Sequence, residues 1–376
     1  MTSEKTVSDS SDCSGHRDAF VCEGWRRALP FTQWCDGQGV VLPFLERTRM
    51  AMAGQAKEFV PEVGEVCEYA LESVGKLLRS GIVWLSYLGC GGNPGDLKEE
   101  VVRAAVVVEM MHLSSLVHDD VIDGADLRRS KPTVSRKWGN RTAVLVGDCL
   151  LSQVACLSLS FRDEALTEII LNCAKAVCIG ECLQSIKRSM LSELRDEAEM
   201  GEYLRILQLK TGKLFALAGE LGARLAILPQ NRQGVDSCDS MREFGLAFGT
   251  AYQLYDDCVD IFGSTIKTGK TGGIDLCEGK KTLPVLLLER QIREAGNTAE
   301  DALVLRELLQ NWQPEKVDQL RGLLHKYSIL EDCRGSLMGY LDKARSCLTN
   351  LPGQEGRQGL ENLLVFLEKQ FDIVTN

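Results

Sequence analysis

Two acidic clusters with the same internal spacing stand far apart in this sequence. They are Asp119, Asp120 and Asp123, and Asp256, Asp257 and Asp260. Each lies in an apolar run that favours a helix, where residues four apart share one face, roughly 6 Å apart along the axis. Buried like charges are costly unless cations compensate them, and carboxylate oxygens suit Mg²⁺. The pattern predicts two walls of one cavity with metal ions between them; the alternative, a solvated acidic face, does not fit the apolar flanks.

Basic residues follow each acidic cluster in a loop. The first loop contains Arg128 and Arg129, and adjacent arginines in a loop cannot both face one point, so they suit two different anions. The second loop contains Lys270 and Lys280 among glycines that let the backbone approach a phosphate closely. Loop lysines and arginines are usually solvated, but their position beside the carboxylates favours a site for phosphorylated ligands.

Further polar residues interrupt apolar helical segments. Lys76 and Arg79 stand at the end of an early helix. Lys210 and Thr211 precede a glycine inside an otherwise apolar helix, which is costly unless the local distortion serves a purpose. Gln253 lies about one turn before the second acidic cluster and shares its face. These positions are therefore candidates for the same site.

The composition is that of a globular protein. The chain has 376 residues, of which 44% are hydrophobic and 26% charged, and its formal charge of −10 argues against a nucleic-acid partner. The 15 cysteines contain no CxxC pair and lie mostly in apolar helical runs, which is typical of core residues in a reducing compartment. Cys178 and Cys182 are helical neighbours, but no histidine stands near them, so core packing is favoured over a zinc site. A cytoplasmic location is expected.

Helical periodicity extends over most of the chain, and we find no sustained alternation of the kind that predicts strands. The serine- and aspartate-rich start lacks an apolar signal segment, so residues 1–42 are predicted to form a partly disordered tail. Residues 43–376 are predicted to form one large all-α helical bundle. Charges are expected to interrupt every apolar stretch before about twenty residues, which predicts no stable membrane insertion.

Taken together, these segments resemble the motifs of trans-isoprenyl (polyprenyl) diphosphate synthases. Residues Glu109–Thr133 resemble the first aspartate-rich region of that family. Lys210–Phe215, Gln253–Asp260 and Gly269–Pro284 resemble the later regions, in the same order and at similar spacing. The resemblance extends over about residues 43–370 and is specific, because several independent motifs must fall in sequence.

The resemblance implies an all-α bundle around a deep central cavity, usually as a homodimer. It implies condensation of an allylic diphosphate with isopentenyl diphosphate, with about three Mg²⁺ ions per site. Asp119, Asp123 and Asp256 would bind metal directly, and Asp120, Asp257 and Asp260 partly through water or basic residues. Further roles would be allylic diphosphate binding by Arg128, Lys210, Lys270 and Lys280, isopentenyl diphosphate binding by Lys76, Arg79, His112 and Arg129, and stabilisation of the allylic cation by Thr211 and Gln253.

The sequence departs from the family pattern at few positions. The usual second glycine before Lys76 is Val74, and the usual proline after Arg79 is Ser80. Bulky aromatic residues shortly before the first acidic cluster stop elongation early in this family, whereas this chain has Ser114 and Ser115 there, with Met111 one turn deeper. A deep tunnel and a medium- or long-chain all-trans product are therefore expected.

Three other functions were considered. A class I terpene cyclase also uses carboxylates and Mg²⁺ in an all-α cavity, but it needs no second diphosphate pocket such as Lys76 and Arg79 would form. A non-catalytic subunit of a heteromeric synthase typically lacks some of the aspartates, and all six are present here. A phosphohydrolase using His118 and Asp119 would need more metal-binding histidines than a chain with four histidines offers.

Overall fold

The fold was obtained as a computed structural model, which describes residues 39–95, 98–187, 196–226, 233–263, 272–294 and 299–375. Helices dominate these residues, which confirms the predicted all-α class. The strands among them are two-residue segments, Leu127–Arg128 and Lys131–Pro132, paired antiparallel as a hairpin. The predicted tail lies almost entirely outside the described ranges, and the first described helix begins at Val41.

The chain forms a succession of α-helices that we number in order. They are α1 Val41–Gln55, α2 Pro61–Leu71, α3 Leu78–Gly89, α4 Glu99–Ile122, α5 Val134–Trp138, α6 Asn140–Leu159, α7 Glu164–Lys187, α8 Asp196–Leu207, α9 Lys213–Ala226, α10 Gln233–Phe262, α11 Ile274–Cys277, α12 Leu283–Glu294, α13 Ala299–Gln310, α14 Val317–Lys326, α15 Ile329–Ser346 and α16 Gln354–Thr375. A π-helical segment, Gln208–Gly212, joins α8 to α9, and 3₁₀ turns stand at Ala56–Glu58 and Pro314–Lys316.

Helix α9 lies at the centre of the bundle, packed against α3, α4 and α10. Ten consecutive residues of α9, Leu214–Ala223, are buried, so the helix is apolar around most of its circumference. Its glycines allow the neighbours to approach closely. A Cβ on Gly219 would lie 2.2 Å from the carbonyl oxygen of Met241 in α10, and one on Gly222 would lie 2.1 Å from that of Val83 in α3.

The two acidic clusters stand at the C-terminal ends of long helices. Asp119 and Asp120 lie in the last turn of α4, and Asp123 is its C-cap residue. The second cluster lies in the last two turns of α10. The C-terminal end of a helix carries partial negative charge, so carboxylates gain nothing from the helix there. The arrangement increases the need for nearby cations.

Contrary to the sequence prediction, three helices among the described residues are long and apolar enough to cross a membrane, judged by length and composition alone. They are α4, α6 and the part of α7 from Glu164 to Ile186. Helix α4 is 72% buried over its apolar window, so it is a core helix of the bundle. The windows of α6 and α7 are only 33% and 22% buried. These two helices therefore leave apolar side chains on the surface.

Candidate active site

One large cavity, of about 1530 Å³, brings most of the predicted site residues together. The predicted residues that line it are Lys76, Arg79, His112, Asp119, Arg129, Lys210, Thr211, Gln253, Asp256, Asp257 and Lys280. Asp120, Asp123, Arg128 and Asp260 do not line it. Lys270 lies outside the described residues.

Asp119 is the carboxylate of the first cluster that faces the cavity. Its side chain is only 13% exposed, and its Oδ1 atom has no hydrogen-bond partner in the described part of the protein. The Nζ atom of Lys210 lies 3.7 Å from Oδ2. Burial raises the pKa of Asp119 to about 6, an effect that Lys210 opposes. A buried carboxylate oxygen without a partner is the kind of donor that a hard divalent cation would complete.

The rest of the first cluster is held by basic side chains. Asp120 is buried and receives bonds from Arg128, at 2.8 Å from Nε and 2.7 Å from Nη2 to Oδ1. Arg128 therefore neutralises Asp120 and does not line the cavity. Asp123 lies 3.5 Å from the Nζ atom of Lys280, which also pairs with Glu278. The rotation of Asp120 by roughly 100° from Asp119 on the helix explains why the two carboxylates meet different partners.

The two arginines of the hairpin after α4 bond to different parts of the protein. Arg129 and Ser130 form its two-residue loop with φ of 52° and 66°. Loops of this kind prefer glycine or asparagine, and a non-glycine residue in this region costs about 1–3 kcal/mol. While Arg128 turns back to Asp120, the Nη1 atom of Arg129 donates to the carbonyl oxygen of Ser73 at 2.7 Å, on the other side of the cavity.

In the second cluster, Asp256 and Asp257 both line the cavity, and Asp257 is buried whereas Asp256 is exposed. The hydroxyl of Tyr203 donates to Asp257 Oδ2 at 2.5 Å, and the amide of Gln253 donates to Oδ1 at 3.0 Å. Thr211 in turn donates to Gln253 Oε1 at 2.9 Å. Burial raises the pKa of Asp257 well above its ordinary value, while the bonds from Gln253 and Tyr203 oppose that rise. The chain of bonds fixes the orientation of the Gln253 amide.

Asp260 differs from the other aspartates because its carboxylate binds the backbone. It accepts from the amide of Ile274 at 3.1 Å and from that of Asp275 at 3.2 Å, at the start of α11. Asp275 lines the cavity in its place. Burial, and to a smaller extent Asp260, raise the pKa of Asp275 to about 7. The structure thus places Asp260 as an anchor for the following segment.

The polar interruption before α9 is a π-helical segment, which confirms the distortion expected around Lys210 and Thr211. Lys210 is held by two residues of α7, Glu181 and Gln184, and its Nζ atom lies 3.1 Å from Gln184 Oε1. The extra residue of a π-helical turn rotates the following helix, and the side chains of Lys210 and Thr211 both line the cavity.

A basic pocket occupies another part of the same cavity lining. Arg79 is partly buried, its guanidinium carbon lies 4.3 Å above the ring of Phe215, and its Nε atom has no hydrogen-bond partner in the described structure. Burial, and the charge of Arg129, lower the pKa of Lys76. Burial, followed by Arg79, lowers the pKa of His112 well below its ordinary value, so this imidazole is neutral. Arg79, Lys76 and Arg129 thus bring three positive charges close together in the cavity lining, which favours an anionic ligand there.

Gly75 leaves room in this pocket for the guanidinium of Arg129. A Cβ there would lie 2.2 Å from a guanidinium nitrogen of Arg129. The pocket also contains one buried carboxylate, Glu109, which accepts from the backbone and hydroxyl of Ser80 at 3.0 and 3.1 Å. One buried acid among several cations leaves the pocket with a net positive charge.

Four residues of this site were not among the sequence candidates. Arg49 lines the cavity from α1, and burial and Arg129 lower its pKa. No pattern in the sequence indicated it. Tyr203 stands seven residues before Lys210, two helical turns away, and this spacing was a usable signal. Glu181 and Gln184 lie on α7, and α8 stands between them and Lys210 in the sequence, so only the fold could bring them together.

Comparison with known proteins agrees with this site. A family model described as polyprenyl synthetase matches residues 60–326. The octaprenyl diphosphate synthase of Haemophilus influenzae is 28% identical over 85% of this chain and 92% of its own length. A decaprenyl diphosphate synthase from Rhodobacter capsulatus has a TM-score of 0.77 and 26% identity over 91% of this chain and 99% of its own. A geranylgeranyl pyrophosphate synthase from Corynebacterium glutamicum, crystallised with calcium and isoprenyl diphosphate, has a TM-score of 0.67 and 26% identity over 96% of this chain and 99% of its own.

The fold and the site are those of an all-α isoprenoid synthase, with an acidic wall and a basic pocket in one cavity. Since the family model matches well over half of the chain, the chain belongs to the polyprenyl synthetase family.

Proposed function

We propose that this protein condenses an allylic diphosphate with isopentenyl diphosphate, in the presence of Mg²⁺, to form a medium- or long-chain all-trans polyprenyl diphosphate. The observation that carries the proposal is the separation of charge within one cavity. Asp119 and Asp256 belong to its acidic wall, and Arg79, with Lys76 and Arg129, forms a basic pocket in another part of the same lining. Two diphosphates with different needs, one requiring metal and one requiring only protein cations, fit these two sides.

The acidic wall suits a metal-bound diphosphate. Among the described residues, no group of three acidic, histidine or cysteine side chains encloses a metal by itself. Substrate phosphates and water complete the coordination of Mg²⁺ in many enzymes, so this arrangement fits a metal that arrives with its diphosphate. Asp119 and Asp256, which line the cavity, would hold it. When bound, Mg²⁺ supplies positive charge that stabilises the leaving diphosphate. The metal-bound crystal of the related geranylgeranyl pyrophosphate synthase supports a divalent ion in this chain.

The chain's own residues account for the remaining steps. Lys210 and Lys280 lie beside the carboxylates and would bind the allylic diphosphate, whose C–O bond breaks with its electron pair leaving on oxygen. Thr211 and Gln253 would direct oxygen dipoles at the allylic carbon as positive charge develops. The basic pocket would hold isopentenyl diphosphate so that its alkene forms the new C–C bond at close range. A proton is then lost to the released diphosphate, which completes the charge balance.

The test is incubation of the purified protein with Mg²⁺, farnesyl diphosphate and labelled isopentenyl diphosphate, followed by sizing of the products. Elongated polyprenyl diphosphates support the proposal, and the variant Asp119→Ala should abolish them. A hydrocarbon or alcohol would indicate a cyclase, and monophosphate alone a hydrolase. No consumption of either substrate would indicate a non-catalytic subunit.

We also propose that the protein is a homodimer. Helices α6 and α7 expose Leu145, Leu159 and Ile186 to 55%, 68% and 55%, and a second copy covering them would bury apolar surface. Light scattering coupled to size exclusion should report a dimer, and Leu145→Glu should yield a monomer. Leu303→Glu, an equally exposed position on α13, serves as the control. Binding of the monomeric protein to lipid vesicles would instead favour a membrane surface as the occupant.

A cytoplasmic location remains a proposal as well. It is supported by the cysteines, since all twelve in the described residues are free thiols. Labelling of the native protein with a thiol reagent after rapid lysis would test it, and disulfide-linked cysteines would contradict it.

A further inference from the structure

Helix α14 contacts the end of the helix that carries the second acidic cluster. The last carbonyl groups of an α-helix have no partner within the helix, and cations at this end are favourable. Arg321 of α14 meets both needs for α10. Its Nε atom donates to the carbonyl oxygen of Ile261 at 2.6 Å, and its Nη2 atom donates to that of Gly263 at 2.7 Å. One guanidinium therefore fixes the point at which α10 ends.

Trp312 holds the backbone just before α11. The indole N–H of Trp312, just before α14, donates to the carbonyl oxygen of Gly273 at 2.9 Å. Gly273 has a φ of 77°, and a Cβ there would lie 2.3 Å from the Trp312 ring, so the fit requires glycine. The amide of Gly273 donates to the carbonyl oxygen of Asp260 at 2.9 Å. We name Trp312 and Arg321 the clasp. Arg321 thus holds the end of α10, and Trp312 holds the residue before α11.

The clasp lies directly behind groups that line the cavity. Asp275 follows Gly273 by two residues and lines the cavity, and its carbonyl oxygen accepts from the amide of Lys280 at 2.8 Å. Lys280 reaches Asp123 across the cavity wall. Trp312 and Arg321 themselves do not line the cavity. A displacement of the clasp would consequently move Asp275 and Lys280 without touching the basic pocket that contains Arg79.

We propose that Trp312 and Arg321 are positioning residues for the metal–diphosphate side of the active site. The inference rests on the proposed function, because it assigns the allylic diphosphate to that side. It predicts a selective effect. Loss of the Trp312 bond or of the Arg321 bonds weakens the binding of Mg²⁺ and of the allylic diphosphate and leaves isopentenyl diphosphate binding unchanged.

The variants Trp312→Phe and Arg321→Met test this in the full chain. Phenylalanine keeps the ring against Gly273 and removes the donor. We expect a rise of about tenfold in the KM for the allylic diphosphate and in the Mg²⁺ concentration for half-maximal rate, as for the loss of one hydrogen bond. The KM for isopentenyl diphosphate should stay within about twofold of the wild type. Arg321→Lys, which keeps the charge, should recover part of the effect.

The matched control is Asp318→Asn. This change removes the negative charge of the surface carboxylate that Arg321 Nη1 contacts at 3.0 Å, and it leaves the two carbonyl bonds in place. It should have wild-type kinetics. Unchanged kinetics in folded Trp312→Phe and Arg321→Met would overturn the proposal. An equal rise in both KM values together with a lower Tm would do so too, because it would indicate a general loss of structure.

The proposed function and the clasp fail in distinguishable ways. If the wild-type protein makes no product, the proposed function is wrong, and calorimetry with Mg²⁺ and inorganic diphosphate still measures the metal–diphosphate side. Weaker binding in Trp312→Phe than in Asp318→Asn would then support the clasp, and equal binding would refute it.

Discussion

Replacement of Arg49 by methionine tests the basic pocket most directly. Arg49 stands on α1, before the family-model match at residues 60–326, and it is not one of the motif residues that carry the resemblance. It nevertheless lines the cavity, and Arg129 lies close enough to lower its pKa. Methionine keeps the unbranched apolar stem and removes the guanidinium. We expect weaker binding of isopentenyl diphosphate.

The size of the effect follows from the burial of Arg49. A hydrogen bond to a charged group contributes about 1.5–3 kcal/mol, and solvent reduces this for a half-buried guanidinium to about 1–2 kcal/mol. Since 1.4 kcal/mol corresponds to a factor of ten, the KM for isopentenyl diphosphate should rise about 5- to 30-fold. The ligand-free protein should keep its Tm, because burial and Arg129 both make a charge at Arg49 unfavourable.

The assay is steady-state kinetics with isopentenyl diphosphate varied at saturating allylic diphosphate and Mg²⁺, together with calorimetric binding of isopentenyl diphosphate without metal. Arg47→Met is the control. Arg47 stands on the same helix, is exposed, and pairs with Glu99 at the surface. An unchanged KM for isopentenyl diphosphate in Arg49→Met, or a rise confined to the allylic diphosphate, would refute the assignment of this pocket.

Three further changes probe other parts of the cavity. Tyr203→Phe removes a 2.5 Å donor from buried Asp257, so kcat should fall about 10- to 100-fold, and wild-type turnover would count against the bond chain. Burial raises the pKa of Asp119 to about 6 and that of Asp275 to about 7, so the folded metal-free protein binds protons more tightly than the unfolded chain. Its Tm should therefore fall as the pH rises from about 4 to about 7, and Mg²⁺ with inorganic diphosphate should restore it; a Tm that rises over this range contradicts the argument. Ser115→Phe should shorten the product, as measured by chromatography, because this residue lines the cavity; an unchanged product length would mean that elongation runs elsewhere.

The fold class and the shared cavity could be predicted from the sequence because they depend on local pattern. Helical periodicity and residues spaced by four are properties of single segments, and each acidic cluster could be placed on one helix face. Ser115 shows the limit of such reasoning. It lines the cavity, whereas Ser114 bonds the carbonyl oxygen of Gly147 at 2.8 Å and Met111 is buried in helix packing. Spacing alone does not tell which neighbours on a helix face the void.

The remaining features depend on contacts between distant segments. The rotation of Asp120 away from Asp119 is legible in the sequence, but only the geometry of the hairpin shows that Arg128 returns to it. Asp260 has the spacing of a metal ligand and instead binds backbone amides, because the chain after α10 folds back onto its last turn. Helices α6 and α7 contain charged residues, but their apolar residues outweigh these charges over the length of the helix. The presence of a charge alone therefore does not exclude a long apolar helix.

The two walls of the acidic site share one design, and this explains why the site needs a ligand. In each cluster the protein itself satisfies one carboxylate: Arg128 binds Asp120, and Tyr203 with Gln253 binds Asp257. In each, the preceding aspartate lines the cavity at the C-terminal end of its helix, where the helix dipole opposes negative charge. The supporting bonds thus hold both clusters in place, and the cavity-facing carboxylates stay accessible to what binds there. An incoming Mg²⁺–diphosphate meets a wall whose geometry is already set, so its binding free energy goes into neutralising charge and not into ordering the protein.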